Sequence, residues 1–183
     1  MVQPPSTIKT CPTTMSDREL HKKSIALSRE IDATWVLALA QFSLGDLEHI
    51  QGNLSLAETL SADALKHFEQ LGDGWGMALV LSNLGNMMYS RGDFFAAKNI
   101  FLEALRLNID LGQKDGITIA LNGLAGVLCH EGEVILSARL QGLLVTIQKE
   151  IGISFSLYLV EQGIFDSTAI VLKESMGFSS FLL

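Results

Sequence analysis

Four histidines, two cysteines and a set of carboxylates are the residues of this chain equipped to hold a metal, attack a carbonyl or move a proton. Their spacing argues against each use. His21, His49, His67 and His130 include no pair one helical turn apart, the arrangement a helix-borne metal site needs. His130 adjoins Cys129, but neighbours on a helix point about a hundred degrees apart and cannot share a metal without distortion. Asp46 with Glu48, and Glu131 with Glu133, have the composition of an acid–base pair. Residues two apart on a helix diverge, however, and no nucleophile stands beside either pair, so solvated helix charges are the ordinary reading. Ser24, Ser28 and Ser61 have neither a nucleophile elbow nor a nearby His–Asp arrangement. The stretch GDGWG, Gly72 to Gly76, is as glycine-rich as a phosphate loop, yet it follows no strand and reads as a turn between helices. The expectation is a chain with no catalytic centre, no metal and no cofactor.

The elements that must position these residues are helices. Leu, Ala, Ile and Gly are abundant, prolines number three, and β-branched runs rarely alternate with polar residues. A net charge of −7 and a pI near 5.0 exclude the basic face that nucleic acid requires. The acid is uneven: residues 35–74 hold six carboxylates and one lysine, which would either attract a basic partner or simply solvate an outer face. Cys11 and Cys129 do not make a disulfide framework, the leader MVQPPSTIKTCPTTM lacks an apolar signal core, and IGISFSLYLVEQGIF is broken by Glu161. These features predict a soluble, cytoplasmic protein without a membrane span.

Shifting the chain by about forty residues superimposes it on itself. Leu44 falls on Leu84 and Leu124, and Gly45 on Gly85 and Ala125. Gly52 falls on Gly92 and Gly132, Gly72 on Gly112 and Gly152, Ile25 on Leu65, Leu105 and Val145, and Trp35 on Trp75. Such spacing marks a repeat array. Each unit reads as two helices. Leu79, Ser82, Leu84, Gly85 and Met88 hold one face of the first, which ends near Gly92. Asp93 caps the second, whose buried stripe is Ala97, Ile100, Phe101, Ala104, Leu105 and Ile109, and Gly112 ends it in the left-handed conformation. Gly85 and Ala97 are small because the two helices approach closely there. Upstream, SDRE offers Ser16 as a cap and Glu19 as its capping-box partner. The helix that follows carries Leu20, Ile25 and Ile31 in the register of the second helices, as half a unit. After Gly152 the period fails; SLYLVEQG and DSTAIVLKESMG predict capping helices, with Phe178, Phe181 and Leu182 packed on the array or in an interface.

The stretch NLGNMMYSRGDFFAAKNIFLEAL, from Asn83, resembles a tetratricopeptide repeat. Leu84 and Gly85 match the Leu-Gly pair of its first helix, Gly92-Asp93-Phe94 its turn, and Ala97, Phe101 and Ala104 the Ala, Phe and Ala of its second. The closing proline is absent, and the unit is stretched from about 34 residues to about forty. That long variant, with LGD or LGQ between units, is similar to the C-terminal arrays of large bacterial signal-transduction NTPase regulators, and SARLQGLLVTIQKEIG to their last helix. Their phosphate loop and basic recognition helix are both missing. The resemblance implies an all-α, right-handed solenoid of antiparallel helix pairs. Its divisions are a disordered leader over 1–15, a half repeat over 16–33, full repeats over 34–73, 74–113 and 114–153, and capping helices over 154–183.

By analogy with that family, the first helices line a concave groove. The groove positions are Phe42, Asp46 and His49 in the first full unit, Ser82, Asn83, Asn86 and Tyr89 in the second, and Asn122, Gly126 and His130 in the third. Asn83 and Asn86 would offer amide groups to an extended peptide, and Tyr89 apolar area with a polar tip. Arrays of this kind that grip a chaperone's terminal carboxylate use cations where this chain has Phe42, Ile119 and Gly123, so that ligand does not fit. The implied function is protein or peptide binding, without enzymatic activity, direct nucleic-acid contact or membrane contact. The alternative is self-assembly into a homo-oligomer through the half repeat or the apolar tail, which a mean hydropathy of +0.32 favours.

Overall fold

The computed structural model describes residues 15–151, with side-chain surroundings for 17–147. Within them the chain forms seven α-helices and no strand: α1 (Met15–Glu30), α2 (Thr34–Ile50), α3 (Leu54–Leu71), α4 (Gly74–Ser90), α5 (Phe94–Asp110), α6 (Lys114–His130) and α7 (Val134–Ile151). The leader with Cys11, the last positions of the third expected unit and the expected capping helices with Phe178, Phe181 and Leu182 lie outside the described residues. No helix among the described residues is long and apolar enough to cross a membrane.

Each α2-to-α7 helix is about 25 Å long and is joined to the next by only two or three residues. Consecutive helices pack on each other, so so short a turn forces them antiparallel. The turns are built on left-handed glycines. Gly92 (φ 80°) lets the chain leave α4, and Gly112 (φ 67°) lets it leave α5, as the sequence requires; Gly52, Gly72 and Gly132 do the same elsewhere. Between α1 and α2 the left-handed residue is Asp32 (φ 51°), a type that tolerates this region better than most. Asp93 caps α5 as expected, its side chain accepting a 3.0 Å bond from the Ala96 amide. Asp73 does the same for α4 toward Gly76 (3.1 Å), which makes GDGWG a helix-to-helix turn. α1 as described starts at Met15, one residue before the expected cap Ser16, and Glu19 pairs with Lys22.

The helices fall into two kinds. α3 and α5 each bury one stripe, Ala57, Ser61, Ala64 and Phe68 in the first, and Ala97, Phe101, Ala104 and Asn108 in the second. That spacing of four, three and four is one helix face. Ile109, expected on the stripe, is 57% exposed; Asn108 takes the buried place because its amide can bond the Ala104 carbonyl (2.8 Å). By contrast α2, α4 and α6 are buried on most sides, with nine or ten buried residues each. The expectation of a single apolar face on α4 therefore falls short. α4 touches α3, α5, α2 and α6, and buries Val80, Leu81, Asn83 and Met87 as well as Ser82 and Gly85.

Close approach explains the small residues. A Cβ added at Gly85 would lie 2.6 Å from the Phe101 ring, and one at Gly123 2.3 Å from it. Phe101, fully buried, is thus held between α4 and α6. Gly76 likewise abuts Phe68. Four apolar clusters follow the chain, from Ile25 with Ala40, Leu44 and Leu47 at one end to Ala97, Phe101, Leu124 and Val127 toward the other.

Candidate functional site

The sequence-selected positions lie on α2, α4 and α6, of which α2 contacts α4 and α4 contacts α6 directly. At the α2–α4 junction the Asn83 amide donates to the Asp46 carboxylate (3.2 Å), and His49 Nε2 stands 3.3 Å from the Ser90 hydroxyl. Burial pushes the Asp46 carboxyl above its ordinary range, and the bond from Asn83 offsets part of that rise. Burial pulls the His49 imidazole below its ordinary value, favouring the neutral ring. His49 Nδ1 is buried with no hydrogen-bond partner among the described residues.

At the α4–α6 junction the same places carry aromatic chemistry. Tyr89, forty residues after His49, meets His130 edge to face (centroids 5.5 Å apart), and both meet Phe94. Phe94 and His130 stack at 4.4 Å with an interplanar angle of 16°. Burial raises the Tyr89 phenol above its ordinary value, with a further push from Cys129. Asn86, forty residues after Asp46, makes no side-chain hydrogen bond among the described residues, because the place of Asn83 is taken by Gly123.

The ten candidate positions are not equally accessible. Phe42 belongs to the core with Ala38, Ala64, Phe68 and Val80. Ser82 is buried and turns its hydroxyl onto the Ala78 carbonyl, Asn122 is 1% exposed, and Gly126 is buried beside it in α6. Asn83, His49 and Asn86 are buried too, at 6 to 7% exposure. Asn83 is therefore not a free donor, its amide being engaged by Asp46. Asp46 and Tyr89 are half-buried and His130 is exposed. Ser90 joins this set although the sequence reading passed over it; its signal is position, one residue after Tyr89 and forty before His130.

The remaining charges serve packing. Asp46 and Glu48 diverge as expected: Glu48, fully buried, receives Arg18 of α1 (2.6 Å) and the Asn53 amide (2.7 Å). Glu58 pairs with Arg91 and Lys98 with Glu131 (2.6 Å), two bridges at places forty apart with their signs exchanged. Two of the six carboxylates of 35–74, Glu48 and Glu58, are thus answered by Arg18 of α1 and by Arg91 in the turn after α4. Asp73 also accepts from the Trp35 indole (2.7 Å), and His67 Nδ1 meets the buried Gln41 (2.9 Å), contacts that no local motif announces. Cys129 is a buried free thiol, pushed above its ordinary value by burial. No cluster of three or more metal-ligating side chains occurs among the described residues. No known family model matches the chain, and no curated protein is similar to it.

Proposed function

We propose that this chain is a tetratricopeptide-type array that binds a protein or peptide along the connected faces of α2, α4 and α6, as the partner-docking part of a bacterial regulatory protein. One observation carries the reading: the contacts between these helices recur at equivalent places. His49 with Ser90 and Tyr89 with His130 are the same pair of positions in successive units. A row of equivalent side chains presents a ligand with regularly spaced groups, which suits an extended peptide better than a compact small molecule. The Leu-Gly and Gly-Asp-Phe motifs of the repeat favour the same reading.

The row also narrows the contact residues. Asp46, Tyr89, Ser90 and His130 keep some exposure, and the buried Asn86 makes no side-chain hydrogen bond among the described residues. A peptide backbone would supply the donor and acceptor that this amide lacks, and an apolar side chain would cover Tyr89 and His130.

The test is selection of binders from a displayed random-peptide library, followed by titration of one selected peptide. Asn86→Ala combined with His130→Ala is expected to weaken binding by roughly tenfold or more, since one hydrogen bond and one aromatic contact are lost. Thermal melts check that the fold is kept. Unchanged affinity in a folded double variant means that the row is not the binding surface.

A further inference from the structure

The α1 helix leaves one of its faces bare. Leu20, Leu27 and Ile31 are 62, 57 and 65% exposed, and Ser24 lies between them. Forty residues on, the equivalents of the first two inner positions are covered. Ala64 and Ala104 are fully buried, and Leu60 and Ile100 are packed in core clusters with residues of α2 and α4. α1 spends its other side, through Ile25 and the Arg18–Glu48 pair, on α2. Leu20, the half-buried Ser24, Leu27 and Ile31, the residue just past the end of α1, are spaced four, three and four, as in the seam of a two-helix coiled coil.

We propose that this seam pairs with the same seam of a second copy of the chain, the two α1 helices lying antiparallel about a two-fold axis. The spacing is its own mirror about a point between Ile25 and Ala26. Leu20 then meets Ile31 of the second copy, large against large, and the small Ser24 meets the larger Leu27. Charge agrees with this register. Lys23 and Glu30, both exposed and neither in an ion pair among the described residues, flank the seam on its open side. In an antiparallel pair Lys23 of each copy comes opposite Glu30 of the other, giving two equivalent ion pairs. The contact is isologous and closes on itself, so it makes a dimer and not a filament. It leaves the α2–α4–α6 row uncovered, and it stands or falls independently of the peptide-binding reading.

Sedimentation velocity on the full chain, from low to several hundred micromolar, tests this. The wild type is expected to pass from monomer to dimer. Leu27→Glu puts a carboxylate on the seam of each copy and is expected to weaken the dimer roughly tenfold or more, with helical circular dichroism unchanged because the side chain is already more than half in water. Lys23→Glu and Glu30→Lys, each alone, place like charges opposite each other twice and weaken the dimer. Mixed in equal amounts, the two variants present only opposite charges and recover it. A wild type that stays monomeric throughout overturns the proposal and leaves the face to a helix from elsewhere. So does a dimer indifferent to Leu27→Glu, or a mixture no tighter than its components. Should Leu27→Glu lose helicity, the charge-exchange pair decides, since both of its positions face water.

Discussion

The α2–α4 and α4–α6 junctions occupy equivalent places in the chain and are filled in opposite ways. In the first, the small Ser61 of α3 stands beside Gly45 of α2, and the Asn83 side chain of α4 reaches Asp46. In the second, Phe101 fills the equivalent place, and Gly123 must stand where Asn83 did because any Cβ there meets the ring. Volume moved from one side of the junction to the other while the helices kept their neighbours. A polar, partly unsatisfied contact and an aromatic one thus stand at equivalent places in the chain. The proposed row inherits the difference: carboxylate, imidazole and hydroxyl at one end, aromatic rings at the other.

The comparison breaks most visibly at Phe101. Phe101→Ala is expected to cost about 3–5 kcal/mol in chemical denaturation, through lost burial and the cavity left between α4 and α6. Gly123→Ala is expected to cost about 1–3 kcal/mol by overpacking against the ring. Combined, the two should cost clearly less than their sum, because removing the ring frees the space the new methyl needs. An additive result would mean that Gly123 is not small on account of Phe101.

Acid separates the junctions next. The His49 value in the folded chain lies below its ordinary 6.5, so the folded state prefers the neutral ring. Stability is lost as pH falls through 6.5 toward the folded value. Asp46 acts with the opposite sign at lower pH: its folded value is raised above 3.8, so protonation on acidification favours the fold. His49→Gln is expected to flatten the upper part of the stability–pH curve, measured by urea unfolding at stepped pH. The smallest effect is at Ser61, whose buried hydroxyl has no partner among the described residues. Ser61→Ala is expected to raise stability by up to about 1 kcal/mol, since an unpaired buried hydroxyl is removed. A loss of similar size would show that the hydroxyl is paired in solution.

Much of the architecture was legible because its signals are local. Gly92, Gly112 and Asp93 act on their own turns, through left-handed φ and a side-chain cap three residues away, so their roles need no tertiary information. The buried stripe of α5 was legible except at its end, where Ile109 and Asn108 exchange roles: hydropathy alone cannot show that an asparagine has a carbonyl to bond inside the helix. Gly85 is legible as a close-approach residue, but Gly123 is not, since its neighbour Phe101 stands on a different helix, α5. The candidate row was chosen by place in the repeat, and place does not reveal burial. Phe42, Ser82 and Asn122 sit within the packing of helices that touch neighbours on several sides.

By itself the sequence determined the helices, their turns and the columns of small and apolar residues, because helix propensity, capping and periodicity act within one or two turns of the chain. Only the tertiary structure decided which polar groups meet. Asp46 with Asn83, His49 with Ser90, Glu48 with Arg18 and Tyr89 with His130 join residues thirty or more apart. Their partners, their burial and the direction of their pKa shifts depend on how neighbouring helices come together, and no local pattern encodes that distance.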